Sequence, residues 1–473
     1  MKTKTYLAGI MAIGIVMGMA GCGSGDSSST GSSKSKAEDF SATDNIKVAD
    51  AESIEKIPDD AEKTILYLVE NDINPTKGNP EKSADLQLFE SKGGKIKFIQ
   101  TTHDERFDKL SLAIQSNKDV PDIFKYEWLA FPYQVVKGMY QPVDDIVDFS
   151  QPLWAGAKKS ADQFVLDGKH YVAPLGYTAS SMLCYDKDIM DSEGFDDPYE
   201  TYKAGKWTWD AWNDMMMEYV SNASNGEERY GVNGFFRGHI IQQTGKQLVN
   251  YDQENNKFVS NLDDPDIAAG EEFLSGLLKN NLILDGWLNG FAKECFSSHC
   301  LFYAMGDWAY SGSNGPDKND HWGIVPMPAY TSNPQKITTS DMTAYMWVNG
   351  SKKKEAVKCW FECSRATHTD EKYVQTNKDK FMENNKYWTD DMYDAKMDVI
   401  SDEYLMFFDN SYGISSMLGD AKHFDGNQCL TDALYGASST PNEDGKQVTW
   451  NQFREKYAPT VQSEIDELNK KIK

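Results

Sequence analysis

Positive charge is scarce in this sequence. Its 473 residues include 48 Lys and Arg against 73 Asp and Glu, which gives a net charge of −25 at pH 7. Binding to nucleic acid requires a basic surface, and adsorption to anionic lipid requires basic segments, so neither is expected. Solubility is the simplest explanation of the excess of acidic residues. The negative net charge also weakly disfavours an anionic ligand.

Metal-binding and catalytic motifs are also lacking. The seven histidines are scattered and no two cysteines have C-x2-C spacing, so no metal is expected. There is no G-x-S-x-G, no H-E-x-x-H and no glycine-rich phosphate loop, so neither a cofactor nor enzyme activity is expected. A surface glycoside hydrolase stays open as an alternative, because 73 acidic residues contain many possible acid–base pairs. Asp263, Asp264 and Asp266 are interpreted as a helix N-terminus rather than a calcium site.

Long apolar runs are absent after the first 22 residues. The run from Leu7 to Met19 follows a basic start but is shorter than the roughly 20 residues that span a bilayer. Met19-Ala20-Gly21-Cys22 then resembles a bacterial lipobox, so 1–21 is predicted to be a lipoprotein signal peptide, with a transmembrane anchor as the alternative. Cys22 would carry the lipid and hold the protein at the cell membrane, facing the extracellular side. Residues 22–56 are predicted to be a flexible Ser/Gly-rich spacer.

The other six cysteines allow two interpretations. Export permits disulfides, and Cys295 and Cys300 are close enough in sequence to close a small loop. Cys359 and Cys363 are four residues apart on a predicted helix, while Cys184 and Cys429 are isolated. Buried free thiols are the favoured interpretation.

The first folded part alternates strand and helix patterns. Strands are predicted at Thr64–Val69, Lys95–Ile99 and Val120–Phe124, with helices at Lys82–Lys92 and Phe107–Asn117 between them. This order indicates a parallel sheet with helices on both faces. Ligands of such sheets bind at the carboxyl ends of the strands.

Eight motifs in order carry a family resemblance. They are Val120–Ile123, Gly138–Asp145, Gly168–Pro174, Leu183–Lys187, Trp207–Trp212, Met305–Trp308, Trp322–Pro328 and Ala344–Val348. Together they resemble the extracellular solute-binding proteins of ABC importers (family 1), the class that includes maltose-binding protein. The resemblance covers Ile57 to Arg365, and it departs from the family pattern where Tyr185-Asp186-Lys187 replaces Tyr-Asn-Lys.

The resemblance implies an α/β, two-lobed periplasmic-binding-protein-like fold with several hinge crossovers. Lobe 1 is expected to comprise 57–177 plus about 337–375, and lobe 2 to comprise 178–336 plus about 376–473. Crossings are expected near Tyr177-Thr178, within Tyr330–Ile337 and after Arg365. The implied function is capture of a carbohydrate, most simply an oligosaccharide, by a monomer that presents it to ABC permease transmembrane subunits. A peptide or polyamine is the alternative ligand.

A sugar offers apolar C–H faces and a rim of hydroxyls, so its binder needs flat aromatic rings and charged or polar hydrogen-bonding groups. By this chemistry and the resemblance, the candidate ligand-binding residues are Trp308, Asp307, Trp128, Glu127, Tyr177, Asp341, Arg237, Asp72 (with Asn71) and Tyr412. For each the alternative is a purely structural role. Trp209, Trp212 and Trp347 are expected in the core.

Overall fold

The computed structural model describes residues 53–77, 82–224, 226–424, 428–440 and 446–472. The predicted signal peptide, Cys22 and nearly all of the predicted spacer lie outside these residues. Within the described ranges, no helix has both the length and the apolar character needed to cross a membrane. Ile54 is already buried and its carbonyl accepts a hydrogen bond from Lys92 Nζ at 2.6 Å, so the packed chain includes residues before position 57.

Sixteen strands are found in the described chain. They are β1 Thr64–Val69, β2 Lys95–Gln100, β3 Ile123–Lys125, β4 Tyr140–Gln141, β5 Val165–Leu166, β6 Lys169–His170, β7 Ala173–Ala179, β8 Met182–Asp186, β9 Tyr230–Gly234, β10 Val249–Asp252, β11 Lys257–Ser260, β12 Cys300–Met305, β13 Trp322–Pro326, β14 Ile337–Thr338, β15 Ser340–Val348 and β16 Leu405–Met406.

The same part of the chain forms sixteen α-helices. They are α1 Ala84–Ser91, α2 Arg106–Ser116, α3 Pro152–Ala155, α4 Lys158–Ala161, α5 Lys187–Glu193, α6 Pro198–Lys203, α7 Trp209–Ser221, α8 Arg237–Gln242, α9 Pro265–Lys279, α10 Phe291–Ser297, α11 Lys354–Thr369, α12 Glu371–Asn384, α13 Asp390–Asp398, α14 Ser416–Gly419, α15 Leu430–Leu434 and α16 Trp450–Asn469. Shorter helical turns include Asp307–Ala309, Asn410–Gly413 and Ala437–Ser439.

The first sheet has the strand order β2-β1-β3-β15-β4, with β7 also paired to β15. The three predicted strands are confirmed, and β1 is parallel to both β2 and β3. The sheet is mixed rather than wholly parallel, because β15 runs antiparallel to β3, β4 and β7. Leu68 and Tyr67 of β1 point to opposite hydrophobic clusters, which places helices on both faces as predicted.

The second sheet has the order β13-β8-β12-β9. Its central strand β12 is buried along its whole length, antiparallel to β8 and parallel to β9. Helix α7 packs against β9, and it begins where the Thr208 hydroxyl accepts a hydrogen bond from the Ala211 amide. Trp209 and Trp212 on this helix are buried, as is Trp347 on β15, so all three are core residues as expected.

The chain passes between the two sheets at least three times. It leaves the first sheet after β7 and enters the second at β8, then returns between β13 and β15. Helix α11 packs on α1 and β7 of the first sheet, whereas α13 packs on β13 of the second. The third pass therefore runs through α12, between Thr369 and Asp390.

All six cysteines of the described chain are buried and free, which confirms the favoured interpretation. Cys295 and Cys300 each place Sγ 3.5 Å from the Phe302 carbonyl oxygen. Cys359 and Cys363 have their sulfurs 4.0 Å apart on α11. The thiols thus act as small packing groups.

Candidate functional site

Aromatic side chains gather where two strands of the second sheet end. Strands β9 and β12 are parallel neighbours, so their carboxyl ends lie at one edge. Phe235 follows β9 and Trp308 follows β12. Ring centroids are 5.9 Å apart for Phe235 and Trp287, 5.7 Å for Trp287 and Phe291, and 5.5 Å for Phe291 and Trp308. We call these four residues the aromatic row.

The aromatic row is partly open to solvent. Phe235 is 55% exposed and Trp287 is 48% exposed. Large apolar side chains that stay exposed beside one another commonly mark a binding surface. Gly234 lets β9 approach β12 closely before Phe235, because its φ is +101° and an added Cβ would lie 2.1 Å from the Ala304 carbonyl oxygen.

Asp307 anchors the turn that carries Trp308. Its carboxylate is buried and lies 2.7 Å from Nζ of Lys396, on α13. The turn Asp307–Ala309 follows β12 directly, so the ion pair fixes the start of the segment on which the indole is placed. Sequence reasoning identified Asp307 and Trp308 but not the cation that holds them.

The carboxyl end of β3 in the first sheet carries a second aromatic surface. Trp128 is 54% exposed and its ring centroid lies 5.8 Å from that of Tyr412. The Tyr412 hydroxyl donates to Asp432 Oδ1 at 2.7 Å. Gly413 allows the segment with Tyr412 to lie close to the loop with Trp128, since an added Cβ would lie 1.6 Å from the Phe131 carbonyl oxygen. The structure therefore brings Trp128 and Tyr412 together, although they are far apart in sequence.

Glu127, beside Trp128, forms an ion pair with Arg106 of α2. Oε1 is 3.0 Å from Nη2 and 3.2 Å from Nε, while Oε2 accepts from the Leu129 amide. Burial raises the pKa of Glu127, and Arg106 opposes that shift. These bonds support the loop that carries Trp128. They also use part of the hydrogen-bonding capacity of the Glu127 carboxylate.

Asp341 lies where charged groups from the strand ends of both sheets act on it. It lies on β15 of the first sheet, opposite Thr178 of β7. Burial raises the pKa of its carboxyl group, the nearby charge of Asp307 raises it further, and Lys125 at the end of β3 lowers it. Charged groups of both sheets therefore act on one carboxylate, next to the turn that carries Trp308.

Three other predicted site residues have structural partners. Arg237 donates from Nε to Ser439 Oγ at 3.0 Å and pairs with Asp285 at 3.1 Å. Tyr177 donates to Ser160 Oγ at 2.8 Å. Asp72 accepts from the backbone and side-chain nitrogens of Asn74. The Arg237–Asp285 pair links the two segments that carry the exposed rings of the aromatic row, because Arg237 lies two residues after Phe235 and Asp285 lies two residues before Trp287.

Sequence reasoning missed Phe235, Trp287 and Phe291, as well as Lys125. A signal was present for Phe235 and Lys125, since both lie at the end of a strand. Trp287 and Phe291 follow a segment without a strand, and only the tertiary fold brings them to Trp308.

Asp264 caps α9 by accepting a hydrogen bond from the Asp266 amide, which confirms the helix N-terminus. Lys246 lies 3.5 Å from both carboxylates. In the described ranges, no group of three or more His, Cys, Asp or Glu could hold a metal ion.

Two α/β units, linked by repeated passes of the chain and carrying aromatic and charged groups at their strand ends, define a two-lobed solute-binding protein. The sequence profile of the bacterial extracellular solute-binding protein family matches residues 87–378. This is more than half of the chain, and the protein belongs to that family. No curated protein sequence matches the chain.

Solved structures agree with this fold. The chain is similar to an ABC substrate-binding protein from Listeria monocytogenes in complex with cycloalternan, at 17% identity and a TM-score of 0.51, covering 86% of this chain and 99% of that one. It is similar to the sugar-binding protein MalE from Xanthomonas citri, at 14% identity and a TM-score of 0.54, covering 86% and 97%. It is also similar to a cyclo/maltodextrin-binding protein complexed with maltotetraose, at 14% identity and a TM-score of 0.52, covering 87% and 96%. The predicted family and fold class are confirmed.

Proposed function

We propose that this protein is the lipid-anchored substrate-binding protein of an ABC importer, and that it captures a carbohydrate, most simply an oligosaccharide, between its two lobes. It would present the sugar to the transmembrane subunits of the permease as a monomer, without enzyme activity. The lobe boundaries are those predicted above, except that lobe 1 also includes the buried Ile54, and the anchor is Cys22.

The aromatic row is the observation that carries this proposal. Phe235 and Trp287 are exposed and tilted by 40° to each other, so they offer flat surfaces on which the C–H faces of sugar units can stack, while Phe291 and Trp308 continue the row by edge-to-face contacts. Trp128 offers a further exposed ring on the first sheet. A peptide would need paired backbone donors and acceptors, which a row of rings does not supply. Aromatic faces also attract the ammonium groups of a polyamine, so a polyamine is the alternative that the test below includes.

Carboxylates supply the polar part of the site. Asp341 lies near Asp307 and the turn that carries Trp308, where its carboxylate can accept hydrogen bonds from sugar hydroxyls, whereas the buried Asp307 is held by Lys396. A ligand that contacts Asp341 and Trp308 touches both lobes, so binding favours the closed arrangement. The sugar-bound relatives named above support the same class of ligand.

The test is a thermal-shift screen of the mature chain against mono- and oligosaccharides including maltotetraose, with peptides and spermidine as alternatives. A ligand at 100 times its Kd stabilises the folded chain by about 2.7 kcal/mol. For the sugar that binds, Trp308→Ala should weaken affinity by about tenfold or more in calorimetry, because a stacking surface is lost. Leu112→Ala removes an exposed apolar side chain elsewhere and should leave affinity unchanged.

A shift with spermidine or a peptide and none with any sugar would overturn the carbohydrate part of the proposal. Equal affinities for the parent chain and Trp308→Ala would show that the aromatic row is not part of the binding site.

A further inference from the structure

The turn that carries Trp308 is held from outside by one segment of the chain. Lys396 Nζ lies 2.7 Å from Asp307 Oδ2. The Trp388 indole nitrogen donates to the Tyr310 carbonyl at 2.7 Å. The Asn385 side-chain oxygen accepts from the Gly312 amide at 2.6 Å. Three contacts thus fix the loop at its start, middle and end, and all three come from 385–396.

The ion pair in this set is largely shielded from solvent. The Lys396 side chain is 15% exposed and the Asp307 side chain 9% exposed. Lys396 Nζ also lies 3.9 Å from the centre of the Phe381 ring, on α12. Removing one partner of a buried pair leaves the other charge uncompensated, so loss of Lys396 should displace Asp307 rather than leave it in place.

The segment 385–396 lies next to a pass between the two sheets and outside the part of the chain that matches the family. Residues 385–396 directly follow α12, the third pass between the sheets. They also lie beyond residue 378, where the match to the family profile ends. The loop with Trp308 is therefore held by a part of this chain that the profile does not describe.

We propose that Lys396, Asn385 and Trp388 are positioning residues that set the place of the Trp308 indole in the aromatic row. They act through Asp307, Gly312 and Tyr310 and need not touch the ligand. The effect on affinity rests on the proposed function, whereas the position of the indole can be measured without any ligand.

The experiment uses fluorine NMR of the full chain labelled with 5-fluorotryptophan. Trp308→Phe and Trp128→Phe assign the two resonances. Lys396→Met should shift or split the Trp308 resonance and leave that of Trp128 unchanged, and Lys396→Arg should restore the Trp308 resonance because it keeps the charge. Lys380→Met is the matched control, since Lys380 is an exposed lysine of α12.

An unchanged Trp308 resonance in Lys396→Met, or an equal change at Trp128, overturns the proposal. If Lys396→Met does not fold, Asn385→Ala takes its place with the same expectation, because it removes the acceptor for the Gly312 amide, together with the hydrogen bond from Asn385 Nδ2 to the Phe381 carbonyl. With maltotetraose as the probe, Lys396→Met should weaken binding by about tenfold and Lys396→Arg much less. If the parent chain binds no saccharide, the proposed function fails, and the resonances still decide the positioning role.

Discussion

At the scale of single residues, Asp341 is a carboxylate that is proposed to bind the ligand but lowers the stability of the folded chain. Its carboxyl group is half-buried, faces Asp307 and is only partly balanced by Lys125, and these surroundings raise its pKa above the ordinary 3.8. The folded chain therefore holds the Asp341 proton more tightly than the unfolded chain. Stability falls as the pH rises from 3.8 through the raised pKa, and the full penalty remains above that window.

Asp341→Asn should therefore raise the melting temperature at pH 7, because it removes a charge that burial disfavours. The gain should disappear below pH 3.8, where Asp341 is protonated in both states. Differential scanning calorimetry at the two pH values measures this. Asp60→Asn, at an exposed carboxylate, is the control and should change little. A lower melting temperature for Asp341→Asn at pH 7 would show that the carboxylate stabilises the fold.

The sequence indicated only part of this site, for a physical reason. Trp308 and Trp128 follow strands, and the family resemblance points to the same motifs, so they were predictable. Which aromatic residues stay exposed depends on packing between distant segments, and so Trp287 was not predictable. The partners of Arg237 were hidden in the same way, because Ser439 reaches it from more than 200 positions away.

At the scale of elements, one buried carboxylate fixes a turn of the C-terminal segment. Glu271, on α9, is fully buried. Its Oε1 accepts from the Gly436 amide at 2.8 Å and its Oε2 accepts from the Ser438 amide at 2.9 Å. Tyr435 precedes this turn, and its ring centroid lies 6.4 Å from that of Tyr412. The turn therefore supports the surface formed by Trp128 and Tyr412.

Glu271→Ala should lower the free energy of unfolding by about 3 kcal/mol, because two buried amides lose their acceptor. Glu272→Ala, at the next and exposed position of α9, should have little effect. Urea denaturation of the two variants measures the difference. Equal losses in the two variants would mean that the hydrogen bonds to Gly436 and Ser438 contribute nothing to stability.

The early elements were predictable because they depend on local patterns. The three strands of the alternating region and the helices between them lie within a few residues of their predicted bounds. The direction of β15 was not predictable in the same way, since its partners are separated from it by more than 150 residues. The region after Arg365 carries no motif, yet α12 and α13 form there and hold the Trp308 loop.

At the scale of the whole molecule, the passes between the sheets limit how the two units can move. Ser180 Oγ, just after β7, donates to the Thr339 carbonyl at 3.2 Å, just before β15. Two of the passes are thus joined to each other. Relative movement of the proposed lobes must bend these two passes together, which favours rotation about one axis over sliding.

The proposed anchor makes a prediction at the same scale. Cys22→Ala should abolish incorporation of labelled palmitate and release the protein from membranes into the soluble fraction, because one thiol carries the lipid. Ser24→Ala, two residues further on, should change neither result. Fractionation of cells that express each variant measures the outcome. Retention of Cys22→Ala in membranes would instead support a transmembrane anchor.

The burial of every cysteine in the described chain has a consequence for how this protein is made. Burial raises the pKa of the Cys184 thiol, so in the folded chain this residue offers an oxidant little reactive thiolate. In the unfolded chain the same thiols are accessible and can pair in many wrong combinations. For a member of an extracellular family, folding must therefore be faster than oxidation of the thiols. Each variant that slows folding lengthens the time during which mispaired sulfurs can trap the chain.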